Sequence, residues 1–333
     1  MKVGKMPGHK LEEIILNRIG FRRKDVLVHA GIGEDSAVVD LKGGLLVISS
    51  DPITGTAKNC GYLAVHVSCN DLAASGAEPV GIQVILLLPE TIEEGELAEL
   101  MEEIVTTTAS INVEVLGGHT EILSIVKKPI VCVTAVGKVE RDKFVSSDGA
   151  LPGDDIIVTK GVGIEGTYIL ANDYSELLRE KGVSEEAIRN AVEYKQKLSV
   201  IEEGLLAADF GVHAMHDITE GGLYGALDEI SKAAGVGFEL YYDKLPVSRE
   251  TREIAEALKL DPAGLISSGS MLITCKDGEK LLSLLREKNI EASIIGRIKG
   301  KERSIIKNGS RKPFVWSNID ELWRIMEQLP FFS

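Results

Sequence analysis

Along this chain, short runs of Val, Ile and Leu alternate with longer stretches in which apolar residues recur every three or four positions. The runs Ser36–Leu41, Leu45–Ser50, Val80–Leu88, Val113–Leu116 and Pro129–Val139 stop at Gly, Pro or Asp and predict strands. Tyr62–Ser75 predicts a helix stopped by Gly76, with Pro79 just beyond. Glu93–Ile111 predicts another, with Leu97, Leu100, Met101, Ile104 and Val105 on one face. A shorter helix is expected over Leu11–Gly20.

The run Asp148-Gly149-Ala150-Leu151-Pro152-Gly153-Asp154 is dense in turn formers. It sets the expected boundary between a domain at 1–150 and one at 151–333. The second half predicts strands at Asp155–Thr159, Ala214–His216, Phe238–Tyr242, Ser270–Cys275 and Ala292–Ile298. Helices are expected at Ile164–Leu178, Ser184–Ala208, Gly222–Ala234, Arg249–Lys259, Gly278–Lys288 and Asn318–Gln328. Strict βαβ alternation is absent, so the fold class is α+β, or mixed α/β, in two domains.

Composition narrows the function. Hydrophobic residues make up 44% of 333 positions and aromatics 5%, so the cores are aliphatic. The formal net charge is −14, and the densest basic stretch, Lys299–Arg311, reads as a solvated hairpin. A nucleic-acid partner is not expected without a basic patch. No apolar stretch reaches the ~18 residues of a membrane span, and Met1–Lys10 lacks a signal-peptide core. A cytoplasmic protein without membrane contact is expected. Cys60, Cys69, Cys132 and Cys275 form no C-x-x-C pair and read as reduced thiols.

The chemistry concentrates in acidic and glycine-rich segments. They are Gly31–Asp40 (G-I-G-E-D-S-A-V-V-D), Ser49–Pro52 (S-S-D-P), Asn70–Pro79 (N-D-L-A-A-S-G-A-E-P), Leu116–Glu121 (L-G-G-H-T-E) and His216–Leu223 (H-D-I-T-E-G-G-L). Asp35 and Asp51 flank the first two strands. Asp71 lies inside an apolar helix, where a carboxylate is costly unless paired or metal-bound. Asp217 is either an N-cap or a ligand. Converging carboxylates without matching Lys or Arg are stable when they share divalent cations, and Mg²⁺ favours carboxylate plus phosphate oxygens. A nucleotide triphosphate held through Mg²⁺ is the first expectation. Asn70 is placed to orient a phosphate or water. Gly117-Gly118 can bring backbone N–H groups to an anion. His213 and His216 fall on opposite faces at strand spacing, which argues against zinc.

Two phosphate-binding patterns are weaker. Gly161–Gly166 matches G-x-G-x-x-G, but the following segments are helical, so a tight strand-to-helix turn is preferred over a dinucleotide site. Gly4–Lys10 has a Gly and a Lys without Walker A spacing.

Taken in order, G-E-D-S-A-V-V, S-S-D, N-D-L-A-A-S-G-A-E-P, L-G-G-H-T, P-G-D-D-I-I-V-T-K-G, D-I-T-E-G-G-L and I-I-G-R-I resemble the superfamily of aminoimidazole ribonucleotide (AIR) synthetase, selenophosphate synthetase, thiamine-monophosphate kinase and hydrogenase maturation factor HypE. The resemblance spans about Gly31 to Ile298. It implies a two-domain PurM-like fold, with the N-terminal sheets of two subunits joined into a β-barrel across a homodimer and an α/β C-terminal domain. It implies ATP bridged by Mg²⁺, with Asp35, Asp51, Asp71 and Asp217 as metal ligands and Gly117, Gly118 and Thr120 at the phosphates.

The HypE branch is most similar, also through Leu260–Pro262 (L-D-P). His119 stands where the usual motif has Asp, with Glu121 nearby to compensate. The sequence ends Leu-Pro-Phe-Phe-Ser, where HypE ends in a reactive Cys, so no carbamoyl or cyano group is expected on this tail. The implied activity is ATP-dependent phosphoryl transfer to a small-molecule or protein-borne acceptor, or ATP-driven dehydration of it. Catalytic residues stay unassigned. A small-molecule kinase and a non-catalytic nucleotide-binding regulator or scaffold are the alternatives.

Overall fold

The computed structural model describes residues 8–19, 21–53 and 59–327. The expected helix over Leu11–Gly20 is instead α1 (Gly8–Ile14) followed by one 3₁₀ turn at Leu16–Arg18. Gly20, the first residues of the Gly4–Lys10 segment and the C-terminal Phe331-Phe332-Ser333 lie outside the described residues.

Six strands build the first sheet: β1 (Val26–Val28), β2 (Ala37–Asp40), β3 (Leu45–Ile53), β4 (Glu78–Leu88), β5 (Glu114–Ile122) and β6 (Ile130–Val139). Their order is β1-β2-β3-β6-β4-β5, antiparallel except for the β4–β5 pair. Two helices accompany them, α2 (Cys60–Ala74) and α3 (Glu94–Ser110). The hydrophobic runs explain the alternation: Val47, Val131, Val133, Ala135, Ile82 and Val84 point inward to a core shared with α2. The opposite face of the same strands carries Leu46, Ile48, Cys132, Val136 and Ile85, which are only partly covered. Strand β5 runs on through Gly117-Gly118 to Ile122, further than the expected Val113–Leu116.

The second sheet has seven strands: β7 (Asp155–Thr159), β8 (Ala214–Ile218), β9 (Gly237–Tyr241), β10 (Ser270–Cys275), β11 (Ala292–Lys299), β12 (Arg303–Lys307) and β13 (Ser310–Pro313). Their order is β13-β12-β9-β11-β7-β10-β8, which puts β8 at one edge. The helices are α4 (Ile164–Asp173), α5 (Ser175–Glu180), α6 (Glu185–Val192), α7 (Ile201–Phe210), α8 (Gly222–Ala233), α9 (Arg249–Leu258), α10 (Gly278–Glu287) and α11 (Glu321–Met326). Strand β7 has antiparallel neighbours on both sides, β10 and β11. The Gly161–Gly166 turn therefore opens no parallel βαβ unit, and its Ile164 and Gly166 N–H groups are taken by Ser267 Oγ and the Ile266 carbonyl. The basic stretch forms the β12–β13 hairpin, where Arg303 pairs with Asp228 and Arg311 with Glu239.

One long helix was expected over Ser184–Ala208, and the structure breaks it into α6, a 3₁₀ turn at Glu193–Lys197, and α7. The cause is local. The carbonyls of Lys197 and Ser199 accept from Lys160 Nζ, and that of Leu198 from Asn70 Nδ2, so they leave the helical ladder.

Helix α2 joins the halves. All its residues except Tyr62 and Val67 are buried. A helix apolar all round must be enclosed on every side. Its Leu72 and Cys69 face the first sheet, Leu63 packs into the α4/α6/α9 core, and Ala73 meets α7. The last contact is close: a Cβ on Gly204 would sit 2.5 Å from the Ala73 carbonyl oxygen. In an exposed helix Gly→Ala gains up to about 1 kcal/mol. Here overpacking reverses the sign, and Gly204→Ala is expected to cost about 1–3 kcal/mol, measurable as a lowered urea midpoint with unchanged slope.

Candidate functional site

The glycine-rich segment forms the turn between β1 and β2. Gly33 has φ +80, and a Cβ there would lie 2.8 Å from the Glu229 carbonyl oxygen. Glycine alone lets this turn lie flat on α8, and that contact delivers Asp35 to the second half. Asp51 projects from β3, Asp71 from α2 and Asp217 from edge strand β8. These acids, remote in sequence, gather where α2 meets β8.

Asp71 is buried, and the charged groups acting most strongly on it are other carboxylates. Its pKa is pushed far above the ordinary carboxylate range by burial first, then by Asp217, Asp51 and Asp35. Ser49 Oγ donates to Asp71 and lies 3.4 Å from Asp51 Oδ2, linking the two. A water-free carboxylate among like charges is unfavourable unless a cation is shared. The donor set is hard oxygen in a buried cleft, which fits Mg²⁺ better than a soft metal.

His216 completes the cluster. Its Nδ1 donates to the Asp217 carbonyl at 2.7 Å and lies 3.2 Å from Asp35 Oδ1. Its Nε2 is 3.0 Å from Glu229 Oε2. Burial works against its charge, but Asp35, Glu229 and Asp217 outweigh it and carry its pKa up to about 10. With acceptors beside both nitrogens, the surroundings of His216 favour its protonated form. Ligand atoms of Asp35, His216 and Asp217 all lie within 4.8 Å of one another. Nearby, Glu34 is pushed up to about 7, by burial first and then Asp148, against the pull of His216. A cavity of about 170 Å³ opens beside this group, lined by Glu34, Asp35, His216, Trp316 and Asn318 among others.

Thus Asp35, Asp51, Asp71 and Asp217 come together, and the other expected residues do not join them. Asn70 is 0% exposed; its Oδ1 accepts from Val200 N–H at 2.9 Å and its Nδ2 donates to the Leu198 carbonyl at 2.8 Å. The amide is thus engaged with the backbone ahead of α7 rather than turned toward Asp71. Gly117, Gly118 and Thr120 sit on exposed edge strand β5. In register, Asp51 faces Val133, Val133 faces Val84, and Val84 faces Gly118. Three strand spacings, about 14 Å, separate Gly118 from Asp51 within one chain. His119 and Glu121 face each other at 3.7 Å on that strand, both exposed. His213 stands outside β8 and pairs with Asp154 at 2.9 Å.

Glu229 and Ser49 were not predicted. Strand alternation set His216 apart from His213, which argued against zinc. It could not show that the Asp35 turn would reach β8 from the other half.

The N-terminal domain model of the AIR synthase related proteins matches residues 33–139, and the C-terminal domain model matches residues 152–307. A putative hydrogenase expression/formation protein of Methanocaldococcus jannaschii is 31% identical over 324 residues, 92% of this chain and 93% of its own length. A carbamoyl dehydratase HypE of Azotobacter vinelandii is 30% identical over 307 residues, covering 89% and 86%. A crystal structure of the hydrogenase maturation protein HypE in complex with ATP superimposes with a TM-score of 0.73 at 22% identity, covering 97% of this chain and 98% of that one.

A carboxyl whose pKa rises on folding destabilises the fold at neutral pH, by about 1.4 kcal/mol for each unit of rise. Asp71→Asn removes that cost and is expected to stabilise the protein without added Mg²⁺ by about 1–3 kcal/mol. It should also abolish any rise in melting temperature on adding Mg²⁺. Differential scanning calorimetry with and without Mg²⁺ checks both.

Proposed function

The chain belongs to the AIR synthase related protein family, and we propose that it is a Mg²⁺-dependent, ATP-using enzyme that activates an acceptor by phosphoryl transfer. The observation that carries this reading is the burial of Asp71 among Asp217, Asp51 and Asp35, drawn from both halves of the chain. The ATP complex of a HypE protein with the same fold supports the nucleotide.

On this reading residues 1–150 form the metal, nucleotide and dimerisation domain, and residues 151–333 close the site. Asp35, Asp51, Asp71 and Asp217 hold the metal. Bound there, Mg²⁺ supplies positive charge to the triphosphate oxygens. Ser49 fixes the carboxylates of Asp71 and Asp51 relative to one another. His216 keeps Asp35 in place through Nδ1 and Glu229 through Nε2. An acceptor oxygen attacks the γ-phosphorus, the β–γ P–O bond breaks, and ADP leaves. The cavity beside His216 gives the acceptor room. Hydrogenase-formation and carbamoyl-dehydratase relatives favour a carboxamide oxygen on that acceptor. Loss of phosphate from the phosphorylated carboxamide would then leave a nitrile, the two N–H protons departing with the phosphate.

The partly covered face of the first sheet supports a homodimer. Val80, Ile85 and Leu116 are 43%, 41% and 50% exposed there. A sheet face this apolar is stable in water when a second sheet covers it. Gly117, Gly118 and Thr120 lie on the edge strand of that face, so their approach to phosphate would depend on the assembly.

Two measurements test this. Isothermal calorimetry should detect ATP binding with Mg²⁺ and lose it with EDTA, and Asp217→Asn should weaken it at least tenfold. Multi-angle light scattering should give twice the 36.0 kDa chain mass, and Ile85→Arg, by placing a charge in the covered face, should give the monomer.

A further inference from the structure

Asp71 and Asp217 approach each other across the boundary between the halves, one on α2 and the other on β8. Contacts other than those between the two acids must hold that boundary closed before any cation arrives. The segment Lys195–Val200, between α6 and α7, is where α2 is tied to the second half. Its carbonyls are occupied one after another. Tyr62 Oη donates to Lys195 O at 2.8 Å, Lys160 Nζ to Lys197 O at 3.0 Å and to Ser199 O at 2.5 Å, and Asn70 Nδ2 to Leu198 O at 2.8 Å. Asn70 Oδ1 also accepts from Val200 N–H at 2.9 Å. Lys160 is itself fixed by Glu203 at 2.8 Å.

Within this set Asn70 stands apart because it neighbours Asp71 on a rigid, fully enclosed helix. We propose that Asn70 is a positioning residue: by clamping Leu198 and Val200 to α2, it fixes the spacing between Asp71 and Asp217 and so preforms the cation site. The chemistry selects an amide. One side chain must both accept an N–H and donate to a C=O two residues apart, at 0% exposure, without adding charge beside Asp71. Carboxylate lacks the donor, ammonium lacks the acceptor, and an aliphatic side chain would leave two buried backbone groups unpaired. The inference rests on the metal-site reading above and adds a residue that touches neither metal nor substrate.

The test uses the full chain, Mn²⁺ as the probe, electron paramagnetic resonance for binding and thermal melting for stability. Asn70→Ala and Tyr62→Phe each remove a hydrogen bond from the same seam, so both should lower the metal-free melting temperature. Only Asn70→Ala should weaken Mn²⁺ binding, by tenfold or more, while Tyr62→Phe stays within twofold of the unsubstituted protein. Unchanged Mn²⁺ affinity in Asn70→Ala, or equal weakening in both variants, overturns the positioning role and leaves a merely structural seam. Should Asn70→Ala fail to fold, Asn70→Gln, which keeps the amide but displaces it by one methylene, is read by the same criteria. Failure of the unsubstituted protein to bind Mn²⁺ would sink the metal-site reading itself, and this inference with it.

Discussion

Everything at the centre of this molecule follows from one buried carboxylate. Asp71 sits on a helix that is buried along nearly its whole length, and the charges acting most strongly on it are other carboxylates. In isolation such a group would be neutralised or expelled. It is kept by arrangement: Ser49 donates to it, and His216 places a positive charge among the surrounding acids. The cluster is a strained site in the electrostatic sense, set within ordinary aliphatic packing.

The packing is what makes the strain bearable. Helix α2 contributes to the first-sheet core through Leu72 and Cys69 and to the helical core of the second half through Leu63. Each fully buried side chain of this kind stabilises by about 1.5–3 kcal/mol. The close crossing of Gly204 over Ala73 and the amide clamp of Asn70 then set the depth at which α2 lies between the halves. Because the acids come from both halves, the seam and the site are one mechanical unit.

His216 gives the metal-free cluster a specific chemistry. Its two nitrogens both face acceptors, which fixes the ring in one orientation and favours its protonated form. The Asp35 turn, the β8 edge and Glu229 of α8 are therefore joined through one imidazole ring. Oxygen donors lie on one side of the ring and the cavity on the other.

Much of this was legible in the sequence. Period-two and period-3.6 patterns depend on near neighbours, so the strands at Leu45, Val80 and Pro129 and the helices at Tyr62 and Glu93 could be read directly. So could the oddity of Asp71, since an acid in an apolar helix needs a partner wherever that helix lies. Other features depended on how distant segments dock. The helix expected over Ser184–Ala208 breaks because Lys160 and Asn70 take its carbonyls, and neither residue is near it in sequence. Asn70 next to Asp71 reads as a residue that orients a phosphate or water, and its amide hydrogen-bonds Leu198 and Val200. Gly117-Gly118 looked like a phosphate turn, and the register sets it three strands from Asp51. His216, which strand alternation set apart only from His213, meets Asp35 because the Gly33 turn brings that acid across. Local pattern determines which backbone a segment adopts and which side chains are chemically unusual. Only the tertiary structure decides what those side chains meet, because hydrogen bonds and charge pairs act over a few ångströms between residues far apart along the chain.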